Sequence, residues 1–211
     1  MSELTDFRKS KDEFFATDER SPLTPEQRKN FRSLEYYAEN PQLRFAVALD
    51  EFPDQEKEPT EIITSMGDSS TQTRWGKFSF SVDGQDVSLT VFRSFDGDDF
   101  FLPFADSTSG SETYGAGRYL DIVPLRDGRY LIDFNYAYNP YCAYNPHWSC
   151  PIPPPGNRLK VAILAGEKSF TGGEAHWAVL SPTTAWSPAL LLRPSLGTWP
   201  RPLWGGLRCY R

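Results

Sequence analysis

The stretch GRYLDIVPLRDGRYLIDFNYAY, residues 117–138, has the pattern of a β-hairpin. Apolar and polar residues alternate on both sides of Asp127-Gly128, a dipeptide typical of two-residue hairpin turns. A two-residue loop fixes the register of the strands, because each residue then has one partner across the turn. The pairs expected on the first face are Leu125–Tyr130, Val123–Ile132, Asp121–Phe134 and Tyr119–Tyr136. This face is mostly apolar, so we expect it to lie in a core.

The opposite face of the same hairpin is the first candidate site. The register sets Asp133 opposite Ile122 and Asn135 opposite Leu120, with Arg118 one step further along. A guanidinium group binds carboxylates or phosphates through two parallel hydrogen bonds, and an amide both donates and accepts. The face therefore predicts a site for a small polar or anionic ligand. The alternative is an Arg118–Asp133 ion pair that only fixes the strand register.

Residues from two neighbouring segments complete this candidate site. Glu112 and Tyr114 lie in the preceding loop DSTSGSETYG, whose serine, threonine and glycine residues could present backbone N–H groups to an anion. Asn139 comes from the tyrosine- and proline-rich loop that follows. We expect Arg118 to hold the ligand and Tyr114 to donate a hydrogen bond to it.

Two other roles remain open for the same residues. One is an enzyme with hydrolase-like or acid–base chemistry, in which Asp133 or Glu112 is the general base. The other is a structural or interaction domain without a pocket. Neither a catalytic serine motif nor a nucleotide-binding glycine motif appears in the sequence, and we expect no cofactor.

The remainder of the chain predicts a mainly β fold of the α+β type. Helices are expected at about residues 3–16 and 24–31, the second from a Thr24-Pro25-Glu26-Gln27 capping box. A hairpin turning at Asp83-Gly84 should pair Val82 with Gln85. Further strands are expected over residues 43–52, 100–104 and 158–166. The elements indicate an antiparallel β barrel or sandwich with short N-terminal helices and a long Pro/Tyr-rich loop.

Composition divides the 211 residues into two parts. Residues 1–170 form the predicted single β-rich domain. Residues 171–211 contain four of the six tryptophans and only one acidic residue, without helical or strand periodicity, so we expect this tail to lie outside the fold. The net charge of −6 argues against nucleic-acid binding, and no apolar run is long enough for a membrane span. The sequence is silent on oligomeric state.

The cysteines could form a metal site, form a disulfide or remain reduced thiols. Cys142, His147 and Cys150 have the side chains of zinc ligands, but a structural site needs four and no fourth lies nearby. A Cys142–Cys150 disulfide is a second alternative. Because no secretory signal is visible, we expect a cytoplasmic protein in which both thiols are reduced and buried.

Several motifs resemble a known family. FLPFADSTSGSETYGAGRYLDI, DFNYAYNPYCAYNPHWSCPIPPPGNRL and AGEK are similar, in order, to the bacterial and archaeal domain of unknown function 1684. The resemblance covers about residues 6–168 and does not include the tail. It implies no known activity, substrate or cofactor. The family usually has glutamate where this chain has Gly156, which would put a function of that carboxylate in doubt here.

Overall fold

The computed structural model describes residues 2–95, 97–172 and 209. Their fold is mainly β, as predicted, with few short helices. The helices are α1 (Glu3–Thr17) and α2 (Pro25–Asn30), and the strands are β1 (Arg44–Val47), β2 (Asp50–Glu51), β3 (Pro59–Ile63), β4 (Ser69–Val82), β5 (Gln85–Ser94), β6 (Phe100–Phe104), β7 (Arg118–Pro124) and β8 (Tyr130–Asp133). Short 3-10 turns lie at residues 41–43, 54–56, 134–136, 141–143 and 155–157.

Both predicted helices are present and capped. The Ser2 side chain accepts a hydrogen bond from the Thr5 backbone at the start of α1. At α2, Thr24 and Gln27 form both hydrogen bonds of the expected capping box. None of the helices in the described part of the chain has the length and apolar character needed to cross a bilayer.

The strands form one antiparallel sheet in the order β1-β8-β7-β6-β5-β4-β2, with β3 also paired to β4. The predicted strand 43–52 is divided, because β1 pairs with β8 while β2 pairs with β4. Only Ala48 and Leu49 separate β1 from β2, so the Cα atoms of Val47 and Asp50 lie within about 11 Å of each other. The sheet must therefore curve until its two ends approach each other, which gives a half-barrel.

Both faces of the curved sheet carry a core. The first core contains Phe78, Leu89, Leu102, Leu120 and Ile163 among others, and the second contains Phe15, Phe92, Phe101, Tyr119 and Tyr144. All five residues of β6 are buried, since successive side chains point to opposite faces and both faces are covered. The second core packs α1 and the tyrosine-rich loop against the sheet.

The first hairpin has the predicted register. Val82 pairs with Gln85 and Phe80 with Val87. Asp83 and Gly84 both have positive φ, 50° and 76°, as a two-residue turn of this type requires.

The predicted register of the second hairpin is wrong by one residue. Pro124 pairs with Tyr130, and Val123 pairs with Leu131. The Leu125 N–H donates to the Arg129 carbonyl at 2.7 Å, which leaves three residues, 126–128, in the loop. Of these, only Gly128 has positive φ, at 80°. A one-residue shift reverses the face of every side chain in one strand relative to the other.

The predicted pairings beyond this turn also fail. β8 ends at Asp133, which pairs with Arg44 of β1, and the chain turns into a 3-10 helix at Phe134. Tyr119 is bridged to Tyr138 instead of Tyr136.

The strand predicted over residues 158–166 is absent from the described chain. Its carbonyl groups at Ile163 and Ala165 accept hydrogen bonds from the Arg118 side chain instead of a neighbouring strand. Gly166 has φ of 76°, which interrupts an extended backbone.

Candidate functional site

Arg118 is a buried residue whose hydrogen-bonding groups are directed to the chain itself. Its side chain is 1% exposed, and Nη2 donates to Asp106 Oδ2 at 2.7 Å. The guanidinium also donates to the carbonyl oxygens of Ile163, Ala165 and Glu167 at 2.9, 2.5 and 3.2 Å. Arg118 thus holds an irregular segment against the sheet.

The predicted Arg118–Asp133 pair is therefore wrong, because the register shift gives the two residues different partners. Asp133 Oδ1 accepts from the backbone and side chain of Asn135, at 3.0 and 2.8 Å, and Oδ2 lies 3.4 Å from Arg44 Nε. Asn135 exchanges two further hydrogen bonds with the Asn40 backbone. These contacts close a separate network at the end of β8.

Most backbone N–H groups of the loop before β7 are already used within the chain. Every N–H group from Ser107 to Thr113 donates within the chain: Ser107 to Val161 O, Thr108 to Asp106 Oδ1, Ser109 to Asp106 O, Gly110 to Thr113 O, and Ser111, Glu112 and Thr113 to Thr108 O. The expected anion-binding nest is therefore closed by the loop's own turns.

The two remaining residues of the predicted set in this region lie apart. Glu112 Oε2 is 3.6 Å from Lys168 Nζ. The Tyr114 hydroxyl donates to Cys142 Sγ at 3.6 Å, and burial raises the pKa of Tyr114, so that it stays protonated.

A second polar cluster surrounds Glu167, whose side chain is fully buried. Oε2 accepts from Lys11 Nζ at 2.6 Å and from the Asn139 N–H at 3.3 Å. Oε1 accepts from Asn139 Nδ2 at 3.1 Å and from the Tyr144 hydroxyl. With neighbouring side chains this group is called the Glu167 cluster, and its members are Arg8, Lys11, Asp12, Tyr36, Asn139, Tyr144 and Glu167.

Three elements bring the Glu167 cluster together. Lys11 and Asp12 lie three and four positions after Arg8 on α1, which places all three on one side of the helix. Tyr36 is bridged to Glu167 in antiparallel fashion, and side chains opposite each other in such a bridge are neighbours. The Arg8 guanidinium lies 4.5 Å above the Tyr36 ring.

Three buried polar atoms of this cluster find no hydrogen-bond partner among residues 2–95, 97–172 and 209. They are Arg8 Nε, the Tyr36 hydroxyl and Asn139 Oδ1. Asn139 is only 1% exposed, although its Nδ2 does donate to Glu167 and to the Lys168 carbonyl. Buried polar atoms of native proteins are nearly always satisfied by protein, water or ligand, so these three atoms are open to a water molecule or a ligand.

Burial dominates the electrostatics of the cluster. It raises the pKa of Asp12, and the Glu167 carboxylate adds to the shift while the Leu34 N–H and Lys11 oppose it. Burial also raises the pKa values of Tyr36 and Tyr144, with the nearby Glu167 charge as the next cause. Both hydroxyls therefore remain protonated donors.

The sequence contained a signal for this cluster. Lys11 falls between Phe7 and Phe14 on the apolar side of α1, where a charge is unusual unless it is paired. Asn139 was among the predicted site residues, and Glu167 lies in the AGEK motif. The contact between Lys11 and Glu167 joins residues that are 156 positions apart in the sequence.

The cysteines differ from both sequence-based expectations. Cys150 is bonded to Cys209, and Cys142 is a buried free thiol. The Cys142–Cys150 disulfide and the pair of reduced thiols are thus both wrong. With Cys150 in a disulfide and His147 exposed, the described chain brings together no group of three metal-binding side chains. We expected the tail, residues 171–211, to lie outside the fold. Of these residues the structure describes only 171, 172 and 209, so the rest of that expectation lies outside the described residues.

Comparison with known proteins places the chain in a family. The family described as "Protein of unknown function (DUF1684)" matches residues 29–168. The solution NMR structure of an uncharacterised protein from gene locus rrnAC0354 of Haloarcula marismortui is 34% identical, with a TM-score of 0.61, over 78% of this chain and 91% of that one. No curated protein matches. Since the family match spans well over half of the sequence, the chain belongs to the DUF1684 family.

Proposed function

We propose that the chain binds a small polar molecule at the Glu167 cluster. The observation that supports this most is the set of three unpartnered polar atoms on Arg8, Tyr36 and Asn139 around one saturated carboxylate. Leaving a buried polar atom unpaired costs about 1–3 kcal/mol. A ligand that pairs all three would recover this free energy on binding.

The three atoms define the chemistry of the ligand. Arg8 Nε–H and the protonated Tyr36 hydroxyl require an acceptor, whereas Asn139 Oδ1 requires a donor. A small hydroxy acid or polyol carries both kinds of group within a few atoms. The cluster holds two cations, Arg8 and Lys11, and two acids, Asp12 and Glu167, so it does not demand a strongly charged ligand.

The proposal changes the roles of the residues expected to bind. Asn139 is retained as a ligand contact. Arg118, Asp133 and Asn135 instead hold the chain around the site, because their donors and acceptors are engaged by other parts of the protein. No reaction is assigned to the site. A cytoplasmic location is part of the proposal.

A thermal-shift titration of the full chain tests the proposal. The probes are glycerol, lactate, glycerate, glucose and inorganic phosphate. Binding to the folded state alone stabilises it by about 2.7 kcal/mol at a hundredfold excess over Kd. We expect at least one hydroxyl-bearing probe to raise the unfolding midpoint of the wild-type chain, and Tyr36→Phe to reduce that rise.

Tyr130→Phe is the matched control, since it removes one hydroxyl from a partly buried tyrosine of the other core. It should respond like the wild type. The proposal is wrong if none of these probes shifts the midpoint, or if Tyr36→Phe responds as the wild type does. If neither water nor ligand occupies the Glu167 cluster, Tyr36→Phe should be at least as stable as the wild type without any probe, because the variant loses an unpaired buried hydroxyl.

A further inference from the structure

The three cysteines lie in one region of the second core. Cys142, Cys150 and Cys209 are each buried, at 6%, 1% and 6% exposure, in the same cluster of apolar residues. Cys150 is the shared member, because it is bonded to Cys209 and also accepts a hydrogen bond from the Cys142 N–H at 3.3 Å. A free thiol therefore lies next to a disulfide.

Backbone geometry limits how far Cys142 is from that disulfide. An N–Cα bond is about 1.46 Å long, so the Cys142 Cα lies within about 4.8 Å of Cys150 Sγ. A Cα-to-Sγ separation of this size is within the reach of a cysteine side chain. The Ser65 hydroxyl accepts a hydrogen bond from the Cys150 N–H at 3.1 Å. Burial raises the pKa of the Cys142 thiol, and hydrogen bonds with Tyr114 and Ser65 oppose that rise.

We propose that Cys150 exchanges its disulfide partner between Cys209 and Cys142. Cys142 loses its proton to solvent, and its thiolate attacks Cys150 Sγ. The Cys142–Cys150 bond forms as the Cys150–Cys209 bond breaks, and Cys209 leaves as a thiolate that takes up a proton. The exchange is an isomerisation, so it consumes no oxidant or reductant. It releases Cys209 from the body of the domain without exposing Cys150.

The chain's own features explain why both pairings are available. Cys142 and Cys150 are eight residues apart, with Pro146 between them, whereas Cys209 is 59 residues from Cys150. The shorter loop costs less chain entropy to close. The longer pairing is present in the structure, so packing of Cys209 in the second core favours it. Chain entropy therefore favours the Cys142–Cys150 pairing and packing favours the Cys150–Cys209 pairing, so that both pairings are available.

Peptide mass mapping of the full-length oxidised chain distinguishes the linkages. Trypsin leaves Cys142 and Cys150 together in residues 130–158 and releases residues 209–211 as a separate peptide. The chain is incubated with a trace of reduced glutathione, quenched in acid, alkylated with N-ethylmaleimide and digested. Cys150–Cys209 gives a cross-linked pair with Cys142 alkylated, whereas Cys142–Cys150 gives an internally bonded peptide with Cys209 alkylated.

We expect the wild-type chain to contain both species, with the internally bonded peptide at several per cent or more after incubation. Cys142→Ser should retain only the Cys150–Cys209 linkage. Serine is close to cysteine in size, so we expect this variant to fold. A wild-type chain that contains only the Cys150–Cys209 species after prolonged incubation would overturn the proposal. So would an oxidised chain in which all three cysteines are alkylated before any glutathione is added.

Discussion

Arg118 and Glu167 are two charged residues that the fold keeps away from solvent, at 1% and 0% side-chain exposure. A buried charge is tolerated only when it is paired and its hydrogen-bonding capacity is met. Arg118 meets this condition with one carboxylate and three carbonyl groups, and Glu167 with four donors. Removing either side chain would leave several buried polar groups without a hydrogen-bond partner.

The first prediction concerns the Arg118 side chain. Arg118→Ala leaves Asp106 buried without its cation, and breaking a buried pair in this way costs about 3–5 kcal/mol. We expect the midpoint of urea unfolding to fall accordingly. Arg129→Ala is the matched control, because Arg129 is 52% exposed and paired with Asp127, so its loss should stay below about 1 kcal/mol. Equal losses for the two variants would contradict the buried pair.

The second prediction concerns the pH dependence that Asp12 contributes. Its pKa is raised in the folded chain, so the ionised form is disfavoured there. The resulting destabilisation is absent well below the unfolded carboxyl pKa of about 3.9 and grows as pH rises through it. Asp12→Asn removes the charge and keeps an acceptor for the Leu34 N–H, which bonds Asp12 at 2.9 Å.

Unfolding of Asp12→Asn and wild type should therefore be compared by urea titration at several pH values. We expect the variant to be the more stable at pH 7 and the difference to vanish near pH 3. A difference that stays constant with pH would show that Asp12 acts through packing instead of charge.

At the level of elements, the two Asp-Gly hairpins show what could be predicted from sequence. Alternation located both turns, and the first register was correct. The second failed because Asp-Gly serves two loop lengths: Asp83 and Gly84 both have positive φ, whereas in the second loop only Gly128 does. The dipeptide does not distinguish these cases. Since the expected Arg118–Asp133 site depended on that register, a one-residue error displaced it.

The Glu167 cluster lay beyond prediction for a different reason. Local patterns can place Lys11 on a helix and mark it as unusual, but they cannot supply its partner from the far end of the domain. The segment 158–166 also has the composition of a strand, while its actual course depends on side-chain donors such as Arg118. Contacts of this kind follow from the assembled fold alone.

The third prediction uses two glycines to test the second turn. Neither Gly128 nor Gly156 has any atom within 4 Å of an added Cβ, but only Gly128 has a positive φ. Gly128→Ala should therefore lose about 1–2 kcal/mol in urea unfolding, the cost of the left-handed conformation. Gly156→Ala should be neutral or gain up to about 1 kcal/mol, because alanine restricts the unfolded chain.

A comparable loss from both variants would argue against the three-residue loop. Gly156→Glu, which restores the residue usual in the family, should likewise be tolerated, since position 156 is exposed and open. A clear effect of that change on ligand response would instead assign the carboxylate a role in binding.

At the scale of the whole molecule, two sets of contacts join distant parts of the chain. β1 and β2 connect the two ends of the curved sheet through Ala48 and Leu49. Lys11 connects the first helix to Glu167, near the end of the continuous described chain. The second core lies between these elements, so α1 is packed as an integral part of the domain. Unfolding should then involve the helix and the sheet together.

The last prediction tests this cooperativity with Lys11→Met, which keeps most of the unbranched side chain but removes its charge. Glu167 would lose its only ion-pair partner within the described residues, and we expect a loss of about 3–5 kcal/mol. Far-ultraviolet circular dichroism and tryptophan fluorescence should still report one coincident urea transition, shifted as a whole. Lys29→Met, at a side chain that is 69% exposed, should change stability by less than about 0.5 kcal/mol. A separate early loss of helical signal would mean that α1 docks independently, because the sheet would then persist without the Lys11–Glu167 contact.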